Sequence, residues 1–475
     1  MCDEGARSAT GPSYGDEPVV SSAGEPASPG KARRTGRRLR SIALILLVAL
    51  ALRVAYAWYD LGRIPRQILE EIGFLYEPGH IAYSLAIGRG FASPFGSASG
   101  ATAWTSPVYP LILAEIFRVF GTFTFPAFVA AISLNILLST LTSVPIYFAA
   151  KRLAGAAGPA GLPAWLWAVF PNAIVIPSEW IWDTCLSGLL AAVIVWATLA
   201  WSESRRSADW VAYGILWGLA LMTNATLLAG LPFLLGWMAW RTRRTGRRWQ
   251  VKPILSAAVI VLCCLPWTVR NYVALHSFIP LRSTLGLQLW LGNNDAYRER
   301  FPSWLHPIDN LAEREKYMSQ GEVPYMAEKQ REAMAWILAH PAREAVLFKQ
   351  RFTATWLGTP HPLRDFERTS SPFLRAVLAS NLLVALAALA GVVIAFARRA
   401  SRPYALPLAA FPIVFPFAFY LTQALFRYRY PIDPAVLLLA AVPIAWLVPR
   451  WTPGGCEPAA NGKNPPAIRH HPTGR

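Results

Sequence analysis

The apolar stretch "SIALILLVALALRVAYAWY" at residues 41–59 decides the fold class of this chain. A helix rises about 1.5 Å per residue, so a stretch of this length can cross the hydrocarbon core of a bilayer. A basic run, an apolar run and "AYA" at 55–57 are also typical of a cleaved signal peptide. Because the apolar character continues past that cleavage site, we favour an uncleaved membrane anchor.

Further apolar stretches follow along the 475 residues, of which 54% are hydrophobic and only 15% are charged, with a mean hydropathy of +0.33. This balance excludes an ordinary soluble domain. Later spans are predicted at approximately 125–150, 157–177, 180–201, 209–224, 226–241, 253–270, 373–396, 404–424 and 431–448. The predicted fold is therefore an all-α membrane protein with about ten transmembrane helices.

The net charge of +18 comes from basic residues that cluster at the ends of apolar segments, as at 31–40, 241–252 and 397–402. Cytoplasmic loops carry such an excess of Lys and Arg. The clusters predict that both termini are cytoplasmic, and they argue against nucleic acid as a partner.

The segment "SPVYPLILAEIFRVFG" at 106–121 is apolar but carries Glu115 and Arg118. If it crossed the membrane, every later basic cluster would lie outside. We therefore predict an amphipathic helix on the external side, at the membrane interface. Two large external regions result, at 60–124 and 271–372, and the second is predicted to be mostly helical.

These observations divide the chain into parts. Residues 1–30 are rich in Gly, Ala, Ser, Pro and Glu, which bury too little surface to offset the entropy of ordering. The predicted parts are a disordered cytoplasmic tail at 1–40, an N-terminal transmembrane module at 41–270 that includes the first external loop at 60–124, an external loop domain at 271–372, C-terminal transmembrane helices at 373–448 and a cytoplasmic tail at 449–475.

The first external loop contains "FLYEPGHIAYSLAIGRGFASPFG" at 74–96, where Glu77 stands just before Pro78 and Gly79. The chain turns there before a helical pattern resumes. A carboxylate at such a turn can project into a cleft, where desolvation raises its pKa toward that of a useful base. From the residues alone, an acid that complements the helix dipole is the alternative.

Ionisable residues are sparse in the middle of the predicted spans, and no inverted repeat is evident, which favours an enzyme over a transporter. The five Cys lie outside the large external loops, so no disulfide scaffold is expected. No metal site is predicted either, since the histidines lack a ligand spacing. These scattered histidines include His80, His276, His306, His340 and His361.

Three stretches carry a family resemblance. The first is "EPGHIAYSLAIGRGFASPF" with the following "TAWTSPVYPLILAEIFRVFG"; the others are "PWTVRNYVALHSFIPLRSTLGLQLWLGNND" at 266–295 and "FRYRYPIDPAVLLLA" at 426–440. In this order they resemble the first external loop, the segment after the seventh span and the start of the last span in GT-C superfamily membrane glycosyltransferases. The similar branches are the protein O-mannosyltransferase-like and lipid A aminoarabinose transferase-like enzymes of the family 39 type.

The resemblance implies a GT-C fold in a bacterial inner membrane. It also implies inverting transfer of one hexosyl or pentosyl group from a polyprenyl-phosphate donor to an external acceptor, which is a protein, a lipid or a glycan. Glu77 matches the first-loop acid that serves as the catalytic base, with Glu70 and Glu71 as alternatives. No cofactor is implied, although divalent metal dependence is left open because other GT-C branches have it.

A phosphate leaving group requires positive charge, and Arg can bind it in a bidentate manner. The candidates for binding the donor phosphate are Arg270, Arg282, Arg427 and Arg429, and snorkelling to the membrane interface is the alternative for the last two. The candidates for binding substrate are His80, Trp104, Tyr109, Asn271 and Asn293. For these five the alternatives are a structural histidine, interface anchors and turn residues.

Two functions of other classes remain open at this point. A transporter or flippase of lipid-linked precursors would share the spans and the external basic residues but would need no base. A structural subunit of an envelope assembly would bind no donor at all.

Overall fold

The computed structural model describes residues 29–63, 74, 76–154, 161–243, 249–297, 302–399 and 401–447. Its α-helices are α1 (Pro29–Leu61), α2 (Glu77–Ala86), α3 (Val108–Phe120), α4 (Phe125–Leu141), α5 (Ser143–Ala154), α6 (Leu162–Val169), α7 (Pro171–Glu179), α8 (Thr184–Trp201), α9 (Ser207–Thr223), α10 (Leu231–Thr242), α11 (Val251–Leu275), α12 (Leu285–Gly292), α13 (Leu311–Gln320), α14 (Glu322–Ala339), α15 (Pro341–Leu357), α16 (Pro362–Arg368), α17 (Pro372–Ala397), α18 (Arg402–Val414), α19 (Phe417–Leu421) and α20 (Asp433–Leu447). Short 3₁₀ helices cover Ala225–Gly230, Ser303–Leu305 and Phe426–Ile432. No strand occurs among these residues, which confirms the all-α prediction.

Among the residues that the structure describes, six helical segments are long and apolar enough to cross a membrane: Arg40–Leu61, Phe125–Leu153, Thr184–Trp201, Val251–Leu275, Pro372–Ala397 and Arg402–Leu421. The chain is therefore a multi-pass membrane protein. The other predicted spans coincide with shorter or interrupted helices: α6 with α7, then α9, then Ala225–Gly230 with α10, and finally α20.

The interruption between α6 and α7 has a local cause. Phe170 is extended, with φ −67° and ψ 124°, and Pro171 follows it. A residue before proline is disfavoured in the helical region, so α6 ends there. Arg53 of α1 is fully buried and donates hydrogen bonds to the carbonyls of Trp167 and Ala168, at 3.3 and 3.2 Å. These carbonyls at the end of α6 have no hydrogen-bond donor within their own helix, and the guanidinium of Arg53 provides the donors.

The helices pack closely where small residues allow it. A Cβ atom on Gly391 of α17 would lie 2.0 Å from the carbonyl oxygen of Leu439 in α20. Gly391 thus lets the two backbones approach, as small residues do in membrane helix pairs. Trp167, Trp210 and Trp217 fill the core around these helices without exposure.

Two predictions about the first half of the chain are resolved in part. The helix predicted within 106–121 is present as α3, which buries Tyr109, Leu113 and Phe117 on one side. Helix α1 begins at Pro29, so the described residues 29–40 of the predicted tail are helical, in a run rich in Arg, a good helix former. Residues 1–28 and 449–475, the rest of the two predicted tails, lie outside the described residues.

Candidate active site

The helix start at "YEPG" buries the carboxylate of Glu77. Tyr76 is extended, Glu77 opens α2 and Pro78 follows within its first turn, where the fixed φ of proline suits a helix start. A Cβ atom at position 79 would lie 2.2 Å from the carbonyl oxygen of Phe74, so only glycine fits there. Glu77 is 5% exposed, which places an ionisable group inside the protein.

Glu77 is held by His306, a residue of the second predicted external region. The Nε2 atom of His306 lies 3.1 Å from Oε1 of Glu77, and both side chains are buried. The backbone N–H of Ile308 donates to Nδ1 of His306 at 3.2 Å. Because Nδ1 accepts, the ring proton is on Nε2, which donates to the carboxylate.

Burial acts to raise the pKa of Glu77, but the electrostatic attraction and hydrogen bond of His306, together with the charge of Arg427, outweigh it, so the pKa lies below the ordinary value. This differs from the expectation that desolvation would raise the pKa. The carboxylate is consequently ionised at neutral pH and able to accept a proton.

Arg427 is 6% exposed and lies among aromatic rings. Its Cζ atom is 3.9 Å from the ring centroid of Trp182, 4.6 Å from that of Trp180 and 5.5 Å from that of Tyr428. Its Nε and Nη1 atoms have no hydrogen-bond partner among the described residues. Buried guanidinium donors are normally satisfied, so this arrangement suits an anionic ligand.

Arg282 and Asp183 complete a group that we call the charged cluster: Glu77, His306, Arg427, Arg282 and Asp183. Desolvation by the surrounding protein lowers the pKa of Arg282, while Tyr428, Asp183 and Glu77 act to raise it. Arg282 is nevertheless exposed to solvent. The structure thus brings together three of the predicted site residues: Glu77, Arg282 and Arg427.

Arg270 and Asn271 lie elsewhere and hold the first loop against α11. Arg270 donates to the carbonyls of Phe91 and Thr102 and, at 3.0 Å, to Oδ1 of Asn271. Asn271 is fully buried and donates to the carbonyl of Ile279 at 2.9 Å. Their roles in binding donor or substrate stay predictions, and their visible contacts are structural.

The guanidinium donors of Arg429 likewise have partners within the protein. It donates to Asp433 at 2.7 Å, to Asn381 at 2.6 Å and to the carbonyl of Trp356. Both Arg427 and Arg429 are buried, which rules out snorkelling. Of these two arginines, Arg427 is the better candidate for a phosphate ligand.

The side chain of Asn293 is also fully used in hydrogen bonds to other protein groups. Its Nδ2 donates to the carbonyls of Leu289 and Leu421, both at 2.8 Å, and its Oδ1 accepts from Arg351 at 3.0 Å. These contacts join α12 to α19. A substrate-binding role for Asn293 stays a prediction.

The predicted aromatic and histidine ligands have protein partners. The Trp104 ring lies 5.6 Å from His306 and 4.8 Å from Phe95. The hydroxyl of Tyr109 donates to Asn135 at 3.2 Å. His80 lies 6.2 Å from the ring of Phe123. Trp104 and Tyr109 are buried, and their roles as substrate ligands stay predictions.

Glu70 and Glu71, the alternative bases, lie outside the described residues. Within the described part of the chain, no three His, Cys, Asp or Glu side chains are grouped as metal ligands. Sequence reasoning did not find His306 or Asp183 as site residues, because nothing in either local pattern indicates its spatial neighbours.

A buried acid, Glu322 at the start of α14, fixes the first loop beside the charged cluster. It accepts hydrogen bonds from the backbone N–H of Ala103 at 2.8 Å, from the hydroxyl of Tyr317 at 2.7 Å and from the hydroxyl of Thr102. Glu322 is 4% exposed. The carboxylate therefore ties the loop that carries Trp104 to the second of the predicted external regions.

We expect Glu322→Gln to destabilise the protein by about 1–3 kcal/mol, because one amide cannot accept from all three donors and adds donors of its own. The measurement is the apparent melting temperature of the full chain in detergent. Glu328→Gln on the same helix is the control, since Glu328 makes a partly exposed ion pair with Lys316. Equal melting temperatures for the two variants would contradict the anchoring role.

Part of the chain and its fold are similar to known proteins. Residues 105–269 match the family described as dolichyl-phosphate-mannose-protein mannosyltransferase. The Archaeoglobus fulgidus oligosaccharyltransferase AglB, solved with an inhibitory peptide and a dolichol-phosphate, aligns with a TM-score of 0.51 at 12% identity, over 86% of this chain and 50% of that chain. The chain has the GT-C fold. The resemblance to GT-C superfamily membrane glycosyltransferases is thereby confirmed.

The apo form of the A. fulgidus oligosaccharyltransferase aligns with a TM-score of 0.49 at 13% identity, over 85% of this chain and 50% of that chain. The chain spans about half the length of the solved GT-C structures it matches. No curated protein matches it.

Proposed function

We propose that this GT-C protein is an integral membrane glycosyltransferase that moves a single hexosyl or pentosyl group from a polyprenyl-phosphate donor to an acceptor. The observation that carries the proposal is the buried Glu77 carboxylate in the same cluster as Arg427, whose Nε and Nη1 lack partners among the described residues. The matched mannosyltransferase family and the dolichol-phosphate complex of AglB support a lipid-phosphate donor.

The chemistry requires one base and one anion site. Glu77 accepts the proton of the acceptor nucleophile as that atom forms a bond to the anomeric carbon. The bond from the anomeric carbon to the phosphate oxygen breaks, and its electron pair leaves with the phosphate. Arg427 and Arg282 stabilise the charge on that phosphate. A single displacement of this kind inverts the anomeric configuration.

The proposed location is a bacterial inner membrane, with both termini cytoplasmic and the charged cluster on the periplasmic face. The basic clusters at 241–252 and 397–402 support this orientation. The acceptor is a protein, a lipid or a glycan on that face.

A transporter or flippase of lipid-linked precursors is the competing function. The test that distinguishes the two functions asks whether the bond between the sugar and the donor phosphate is broken. Proteoliposomes with the full chain receive polyprenyl-phosphate sugars labelled in the sugar, mannose first, together with membranes from a deletion strain as the acceptor source. A glycosyltransferase removes the label from the lipid carrier, whereas a flippase changes its leaflet and leaves the bond intact. Mass spectrometry of envelope glycans in the deletion strain then identifies the sugar and the acceptor.

A further inference from the structure

The pair formed by Glu77 and His306 joins two distant parts of the chain at one buried hydrogen bond. Resting on the proposed function, we infer that His306 is the positioning residue for the catalytic base: it holds Oε1 of Glu77 and leaves the second oxygen to take the acceptor proton. His306 itself touches neither donor nor acceptor in this role.

The His306 imidazole is well suited to this task because two hydrogen bonds and two neighbouring aromatic rings fix its orientation. Its Nδ1 accepts from the backbone N–H of Ile308 at 3.2 Å, so Nε2 carries the proton toward Glu77 at 3.1 Å. The rings of Trp104 and Phe95 lie edge-on at 5.6 and 6.4 Å. A carboxylate bound to such a ring has few rotamers left, which lowers the cost of reaching the reactive geometry.

The backbone around His306 is fixed as well. The His306 carbonyl accepts from the N–H groups of Asp309 and Asn310, at 2.9 and 2.8 Å. The Asn310 side chain then accepts from the N–H of Glu313 and caps α13. The second external region thus delivers the partner of a base that lies in the first.

His306 also affects the pKa of Glu77, and the direction of that effect can be stated. The charged and titratable groups that act on Glu77 or are acted on by it are His306, Arg427, Arg282 and Tyr428. His306 lowers the pKa of Glu77 against the effect of burial. A general base must be deprotonated, so it works only above its pKa. We therefore expect the acid limb of the pH profile, in which the transfer rate falls on acidification, to lie below pH 4.5, the ordinary pKa of Glu. Loss of His306 moves that limb upward.

Two amide variants that differ in reach provide the test. In His306→Gln the amide nitrogen occupies about the position of Nε2 and still donates to Glu77. In His306→Asn it reaches only to about the position of Nδ1. We expect His306→Asn to move the acid limb to higher pH and to lower transfer at neutral pH about tenfold. We expect His306→Gln to keep both values near those of the wild type.

The measurements are the pH profile of sugar transfer by the full chain and infrared titration of the Glu77 carboxyl, identified by subtraction of the Glu77→Gln spectrum. Equal melting temperatures for the two His306 variants establish that both fold. Equal loss of activity in both variants with an unmoved carboxyl titration overturns the inference. If Glu77→Gln retains transfer, the base assignment fails instead, and the infrared titration still decides whether His306 governs Glu77.

Discussion

Glu77→Gln lowers sugar transfer by about 10²- to 10⁴-fold and leaves donor binding intact, if Glu77 is the base that the geometry supports. The amide has nearly the shape of the carboxylate, and its oxygen can still accept from Nε2 of His306. The amide cannot, however, take the proton from the nucleophile of the sugar acceptor. The variant removes the chemical step while it preserves the packing of α2, since Pro78 and Gly79 remain.

The experiment measures transfer at saturating donor and, separately, donor binding as the amount of sugar-labelled polyprenyl-phosphate donor that the purified protein retains. Glu115→Gln is the matched control, because Glu115 is an exposed acid on α3 that pairs with Arg118. We expect it to change transfer less than about twofold. Transfer by Glu77→Gln at more than a tenth of the wild-type rate would be incompatible with general base catalysis by this residue.

The fold was largely predictable from hydrophobic patterns, and the exceptions have local causes. An apolar window such as 157–177 reads as one span, yet it is divided by the extended Phe170 before Pro171. The break is stable because Arg53, far away in the sequence, satisfies the freed carbonyls. Window-averaged hydropathy does not register a partner of this kind.

The candidate site was predictable in its residue types but not in its pairing. Glu77 stands out in the sequence because Pro78 and Gly79 follow it, and Arg427 stands out because it lies in "FRYRY" at the predicted external face. Arg429 stands out for the same reason, and only the structure shows that Asp433, Asn381 and Trp356 already occupy its donors. His306 carries no signal because its partner lies in another loop, and the sign of the Glu77 pKa shift depends on that partner.

Arg427→Ala is the second large effect that we expect, with donor affinity reduced by about 10- to 100-fold, the value of charge-assisted hydrogen bonds to a buried anion. The guanidinium has the right properties: it is buried among three aromatic rings, and its Nε and Nη1 lack partners among the described residues. As the bond from the sugar to the phosphate breaks, a donor phosphate that accepts from these atoms gains negative charge, which the guanidinium stabilises. The turnover rate therefore falls together with the affinity.

Because Arg427 also packs against Trp180 and Trp182, truncation alone does not separate charge from shape. Arg427→Met keeps an unbranched chain without charge, and Arg427→Lys keeps charge without the planar fork. If phosphate binding is the role, affinity for polyprenyl phosphate follows the order Arg, Lys, Met, and raising the salt concentration weakens binding less for Met than for Arg. Arg89→Ala is the control, an exposed first-loop arginine that is expected to bind donor normally. Equal affinities for the Lys and Met variants, with equal melting temperatures, would instead make Arg427 a packing element and leave Arg282 to bind the phosphate.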